Sequence, residues 1–562
     1  MHNKNRRRPS ECRPAVLAVA LALAGCGGGG GGSAASSDSV EAQLAPGTAL
    51  NASSCSYRYF VTSNPVLTGS DPLLARQWHL NNTGQSGGTA GEDIRALTAW
   101  QAAPALGAGV RISVIDDAVE IVHDDLAPNV TAGASHNYRS DGLGSYPLPC
   151  DSDQEHGTAV AGIAAARNDN GVGGAGVAPR ASIAAFNALA TNFDTHIADA
   201  LLRDLPVNGV YNNSWGSSDD GRLHKVDTLL KSAVTQGLIN GRDGKGAIYV
   251  FPGGNGGCLN EAPIDGNDRC LGYSDNSNFD GYVNRYGVIT ACAVSDRGKK
   301  PWYGEPGANM LVCGTSSNQS GNVTTTDVRN GFRNDFSGTS ATTPMVSGVV
   351  ALMLSARPEL TYRDVMLILA RTARRNDPAD TGWVSANGLA FNHKYGFGVV
   401  DANAAVQAAK SFTSVGGYGQ VANCGWYRQP VGQPLPDFVT AASPVASAIP
   451  VGTDCPITKI EFIEIGLEVS HTYSGDLRVQ LTSPNGLISE LANERVCKVG
   501  DQTIPAGWRT VSCGQYDADW LFGSVRHLDE SPTGNWTLQV ADHLSGDTGT
   551  WTNWSIRFWG RP

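Results

Sequence analysis

The pattern of apolar positions changes character along the chain. Between Gly109 and about Ala409, short uninterrupted apolar runs alternate with stretches of small residues. VRISVI between Gly109 and Asp116, and AIYVF after Gly246, predict strands buried on both faces. HGTAVAGIAAA from His156 predicts a helix start, and Ala341 to Ala356 predicts a buried helix with Pro344 in its first turns. Strands alternating with helices predict an α/β fold, an open parallel sheet covered by helices on both faces. After Ala409 a Gly/Pro/Ser-rich connector runs to about Thr453. Beyond it the period drops to two, as in LRVQLTS after Asp476 and TLQVAD after Trp536, which predicts an all-β sandwich module.

The N-terminus reads as a targeting segment. Lys4, Arg6, Arg7, Arg8 and Arg13 precede an apolar run from Ala15 to Ala24, too short to span a bilayer and suited to a signal peptide over residues 1–25. It ends LAGC, which resembles a lipobox, so Cys26 is expected to carry a lipid anchor. Residues 26–70 are expected as a tether and N-terminal extension, opening with Gly27 to Gly32. Export to the cell envelope follows, as an outer-membrane lipoprotein or in secreted form. Loss of the signal would move the formal charge from −11 to −15. That acidity excludes a nucleic-acid binder and suits a cationic substrate or divalent metals. Of twelve cysteines, Cys12 leaves with the signal and Cys26 is lipidated. The even remainder in an oxidising compartment implies disulfides, with nearest-neighbour pairings Cys258–Cys270, Cys292–Cys313 and Cys497–Cys513.

Four residues at the ends of predicted elements carry chemistry. Asp116 closes a buried strand, where a carboxylate can orient an imidazole. His156 opens a helix, Asn255 lies in the glycine-flanked loop PGGNGG, and Ser340 opens the buried helix in FSGTSATTP. A serine there presents both its hydroxyl and its backbone N–H to an incoming carbonyl.

In the order Asp, His, Asn, Ser these motifs resemble the subtilase family of serine proteases. The double aspartate Asp116-Asp117, SWG at Ser214 to Gly216, GNGG, DGY at Asp280, PWYGE ending in Glu305 and GTSA resemble the kexin and furin branch. Residues 71–410 would be the catalytic domain, 411–453 a linker and start of the second module, and 454–562 a jelly-roll-like P domain, because VSHTYSGDLRVQLTSPNG and GNWTLQVADHLSGDTGTWTNWSIRFWG are similar to that module. The resemblance implies a Ser340 nucleophile, a His156 base oriented by Asp116, and an oxyanion hole from Asn255 and the Ser340 N–H. Ser214, Trp215 and Gly216 would pair with an extended substrate. Asp219 and Asp280 would receive the basic side chain before the cut, and Asp117 and Asp153 would face the residue preceding it, so paired basic residues are the implied substrate.

Calcium is the implied cofactor. One site would use Asp71, Asp125 and the loop Arg167 to Gly174, with Asn170, Val172 and Gly174 as ligands. A second would use Asp219, Asp275 and Glu305. Ala118 departs from the family's glycine after the double aspartate. Residues 27–70 are too few for the usual folding pro-domain, so a separate chaperone is expected. Two other readings are compatible with the sequence: a broad-specificity subtilase whose acids serve calcium alone, and a catalytically silent surface binding protein on the same scaffold. Trp536, Trp551, Trp554 and Trp559 are expected mostly in the β module's own core, with some packing on the catalytic domain. His471 and His543 are expected as structural or surface residues.

Overall fold

The computed structural model describes residues 49–50, 55–60, 68–258, 274–317, 322–438, 444–499, 509–517 and 520–562. All fall in the compact unit Leu44–Pro562. The expected signal peptide, Cys26 and Cys270 lie outside the described residues.

Six parallel strands form the central sheet: β1 (Arg111–Ile115), β2 (Ser182–Phe186), β3 (Asn208–Asn213), β4 (Ile248–Pro252), β5 (Val288–Val294) and β6 (Val312–Thr315), in the order β2-β1-β3-β4-β5-β6. Helices cover the sheet, so its strands are buried nearly throughout, which is why they read as continuous apolar runs. Helices α1 (His156–Ala165) and α4 (Thr339–Ala356) pack together against it. Helices α2 (Asp194–Leu202) and α3 (Thr228–Gly244) form a second packed pair, and α5 (Tyr362–Thr372) and α6 (Ala402–Ser411) complete the layer. A hairpin, β7 (Val323–Asp327) and β8 (Gly331–Phe336), lies along α1. Adjacent register positions on β5 and β6 carry the Cys292–Cys313 disulfide.

The β module is two antiparallel sheets. One holds β9 (Tyr427–Leu435), β11 (Lys459–His471), β14 (Leu521–Ser524) and β16 (Gly549–Arg561). The other holds β10 (Val445–Val451), β12 (Leu477–Thr482), β13 (Ile488–Ala492) and β15 (Gly534–Asp542). Strands β9 and β10 occupy residues expected to be mainly connector. Each pairs along one side only, and alternate residues of β9 face solvent, so Pro430, Pro434 and a bulge are tolerated and the apolar signal is weak. Disulfides Cys424–Cys455 and Cys497–Cys513 brace the module, and Cys55–Cys150 ties the N-terminal extension to the catalytic body.

The module's own core holds Trp536, Trp551 and Trp554. Trp559 instead stacks on Tyr286 of the catalytic body, with ring centroids 4.7 Å apart.

Candidate active site

The sheet brings its functional residues to the carboxyl ends of its strands. Asp116 follows β1, and its Oδ1 lies 2.8 Å from His156 Nδ1 at the first position of α1. Burial works against a charged imidazole, but Asp116, and behind it Asp117 and Glu155, outweigh it and raise the His156 pKa to about 9. Asp117 is engaged with backbone: its carboxylate accepts from the N–H groups of His156 and Gly157, which start α1, and from Ala118 N at 2.5 Å. Burial, then repulsion from Asp116, raises its pKa to about 7. Ala118 sits in ordinary backbone geometry, so the departure from glycine costs no strain here. Asp153 lies on the exposed turn ahead of α1.

Pro344 lacks an N–H, so it leaves the Ser340 carbonyl without its helical partner, and the Ser214 hydroxyl donates to that carbonyl at 3.1 Å. In return the Ser340 hydroxyl donates to the Ser214 carbonyl at 3.1 Å. This reciprocal pair locks the end of β3 to the start of α4. It also means that, among the described hydrogen bonds, the serine hydroxyl is held by Ser214 and not by His156. Asn255, after β4, accepts from both the N–H and the hydroxyl of Thr339 at 2.9 and 3.0 Å. With its oxygen fixed this way, the amide's two N–H donors are left for another partner. Thr339 was not singled out in the sequence; its place between Gly338 and Ser340 was the available signal.

Trp215 donates from Nε1 to Ile115 O at 2.9 Å, anchoring the Ser214–Gly216 segment over β1. Beneath that segment, Asp280 accepts from Ser217 N, Ser217 Oγ and Tyr282 N. A Cβ at position 216 would lie 2.5 Å from Asp280 Oδ2, so only glycine leaves this carboxylate its space. Asp219, Asp280, Asp275 and Glu305 line one small pocket, and burial raises the pKa of each.

The acids expected at the two calcium sites lie in two separate places, near Gly256 and against the 167–174 loop. Asp219, Asp275 and Glu305 are packed close enough that burial, then mutual repulsion, pushes Glu305 well above the carboxylate range and Asp275 to about 7; Arg495 is the one cation acting on Asp275. Buried carboxylates with so little opposing charge suit a hard divalent cation. Asp71 and Asp125 are buried against the 167–174 loop, with no cation among the groups acting on either. Asp71 accepts from Asp169 N and Asn170 N, and Asp125 from Asn170 Nδ2 and Gly174 N. As placed, Asn170 turns its oxygen to Val172 N, so ligation through that oxygen requires its amide to rotate. With that rotation, two carboxylates, an amide oxygen and loop carbonyls form an oxygen donor set that fits calcium.

The subtilase family model matches residues 107–398, and the proprotein convertase P-domain model matches 460–558. The chain belongs to the subtilase family, a family of serine endopeptidases. It is 31% identical over 500 residues to protease KEX1 of Kluyveromyces lactis, covering 87% of this chain and 60% of that protein. It is 32% identical over 512 residues to a dibasic-processing endoprotease of Schizosaccharomyces pombe, covering 87% and 65%. The chain therefore spans about 60% of the length of these curated relatives. A crystal structure of the Aeromonas sobria serine protease in complex with a chaperone superposes with a TM-score of 0.75 at 26% identity, covering 89% of this chain and 97% of that one. The parallel sheet flanked by helices and the following antiparallel module are the fold of this group.

Proposed function

We propose that the protein is a calcium-dependent serine endopeptidase that cuts polypeptides after basic residues, with paired basic residues preferred. The observation that carries this reading is the buried Asp280 carboxylate beneath Gly216, beside Asp219. A guanidinium or ammonium entering there meets a carboxylate already freed of water, whereas an apolar side chain leaves it unpaired.

In this reading Ser340 attacks the scissile carbonyl. Its hydroxyl leaves the Ser214 carbonyl for His156 Nε2, which takes the proton and later returns it to the leaving amine. Asp116 holds Nδ1–H and stabilises the imidazolium. The free Asn255 N–H and the Ser340 N–H face the developing oxyanion, and Thr339 keeps the Asn255 amide from turning its oxygen inward. Ser214 to Gly216 hold the substrate backbone extended. Asp117, committed to the start of α1, acts on the preceding basic residue through its field, and Asp153 meets that residue at the exposed rim. Asp71, Asp125 and the 167–174 loop, and Asp219, Asp275 and Glu305, would hold calcium, whose positive charge would keep those buried acids ionised and the loops in place. The chaperone in the Aeromonas complex supports a separately encoded folding partner here, and the LAGC segment supports export with a lipid at Cys26.

The test is cleavage of matched peptides ending in Arg-Arg, Lys-Arg, Ala-Arg and Ala-Phe by wild type and Ser340→Ala, with calcium and with chelator. Cutting after the basic pairs, lost in Ser340→Ala and on chelation, is the expected result. Equal cutting of Ala-Phe would leave a broad-specificity subtilase, and no cutting with a co-expressed chaperone would leave a binding protein.

A further inference from the structure

We propose that Arg495, carried by the β module, is a positioning residue for substrate selection in the cleft of the catalytic body. The inference rests on the reading above, in which Asp219 and Asp280 receive a basic side chain.

The segment Asn493–Lys498 follows β13 and is bonded to both loops that carry those aspartates. On the loop of Asp219, Lys498 N donates to Asp220 O at 3.0 Å, and Arg495 Nε donates to Gly221 O. On the loop of Asp280, Asn493 Nδ2 donates to Ser274 O at 2.7 Å, and Asn493 Oδ1 accepts from Asn276 Nδ2 at 2.9 Å. The Arg495 guanidinium lies over the ring of Phe279, with Cζ 3.8 Å from the centroid. Phe279 immediately precedes Asp280 and Gly221 closely follows Asp219, so one side chain touches both loops beside their acids.

Arg495 is itself held from the module's side. Its side chain is fully buried, its backbone N–H donates to Gly475 O at 2.8 Å, and Nη1 donates to the Tyr516 hydroxyl at 3.1 Å. The Cys497–Cys513 disulfide ties down the same segment two residues further on. The guanidinium is therefore a fixed point against which the two loops rest.

Stability alone does not account for a guanidinium at this place. Among the described residues it forms no ion pair, and its Nη2 is buried without an acceptor. An apolar side chain of similar volume is often as good or better for stability where a charge is buried. What the guanidinium adds is a directed bond to the Gly221 carbonyl, a rigid plane on Phe279 and a positive charge that acts on Asp275. Asp219 and Asp280 stand on separate loops, and charge-assisted hydrogen bonds from both to one incoming cation require a fixed spacing between them. Ser340, His156 and Asn255 stand on α4, α1 and the loop after β4, none of which Arg495 bonds. Loss of Arg495 should therefore weaken recognition of the basic side chain and spare the chemical step.

The test measures kcat and KM for matched Arg-Arg and Ala-Phe peptides at saturating calcium, on the full chain. Wild type is compared with Arg495→Met, which keeps an apolar side chain on Phe279, and with Arg495→Lys, which restores the charge without the fork. The expected result for Arg495→Met is a KM for the Arg-Arg peptide raised about tenfold, with kcat retained and kcat/KM for Ala-Phe unchanged. Arg495→Lys should fall between Arg495→Met and wild type. If Arg495→Met does not fold, Arg495→Gln decides alone by the same comparison. An unchanged KM, or losses shared equally by both peptides, overturns the inference and leaves the basic-residue reading standing. Wild type that cuts Ala-Phe as well as Arg-Arg overturns that reading and the inference with it.

Discussion

Single side chains at this site are held by neighbours that no catalytic motif names. Thr339 fixes the Asn255 oxygen, and Ser214 holds the Ser340 hydroxyl through a carbonyl exchange that exists because Pro344 lacks an N–H. His156 shows how far such surroundings reach. Its pKa is raised to about 9 because Asp116, Asp117 and Glu155 together outweigh burial. The imidazole is a base only when neutral, so kcat/KM is expected to rise with pH until about 9. The same shift stabilises the fold below the ordinary histidine pKa of about 6.5, and that stabilisation is lost as the pH climbs to about 9. Glu155→Gln removes one of the carboxylates and should move the acid limb of the kcat/KM profile to lower pH, with the alkaline plateau retained. A limb that stays in place would show that Asp116 and Asp117 set the pKa without Glu155.

The elements explain which of these features could be read in advance. Asp116, His156, Asn255 and Ser340 were legible because each stands where an apolar run stops, and a buried strand or helix must stop at the surface where chemistry occurs. Strands β9 and β10 were not legible, since an edge strand with one open face needs neither a full apolar run nor every backbone donor. Thr339 was hidden for a different reason: a threonine at a helix start is unremarkable in itself, and only the approach of β4's loop brings it Asn255 as a partner. That loop is under tight spatial control. Gly254 has φ +97°, and a Cβ there would lie 2.2 Å from Glu305 Oε1, the same oxygen that accepts from Gly256 N. Gly254→Ala must therefore displace Glu305 or the loop bearing Asn255. It should weaken calcium protection of the melting temperature and lower kcat, each by about tenfold or more, given a backbone conformation and a contact that alanine does not tolerate. Gly419→Ala, where the added Cβ meets nothing within 4 Å, is the control and should change neither. Equal behaviour of the two variants would remove the loop from the metal site.

Across the whole molecule, the β module is joined to the catalytic body by buried polar contacts as well as by Trp559. Arg363 on α5 donates twice to Glu461 on β11, at 2.9 and 2.8 Å, with both side chains buried, and Arg561 reaches Glu461 at 3.1 Å. His393 of the catalytic body accepts from Glu490 N at 2.9 Å, an arrangement open only to a neutral ring, and burial first, then the neighbouring Arg526, lowers its pKa to about 3. The module also reaches the loops that carry Asp219 and Asp280: Arg495 donates to Gly221 O, Lys498 N to Asp220 O at 3.0 Å, and Gly523 N to Asn278 Oδ1 at 2.7 Å. Loosening the interface should therefore loosen the pocket. Glu461→Ala leaves Arg363 buried without its carboxylate, a change that costs on the order of 3–5 kcal/mol where one partner of a buried pair is removed. Replacing both, as Arg363→Met/Glu461→Leu, buries apolar surface in place of two charges and should recover most of that loss. Thermal unfolding in saturating calcium measures both, alongside KM for an Arg-Arg peptide. The expected pattern is a low melting temperature and raised KM for Glu461→Ala, with both largely restored in the double variant. Additive losses would mean that the two residues act separately, and an unchanged KM in a destabilised Glu461→Ala would mean that the pocket holds its shape without the module.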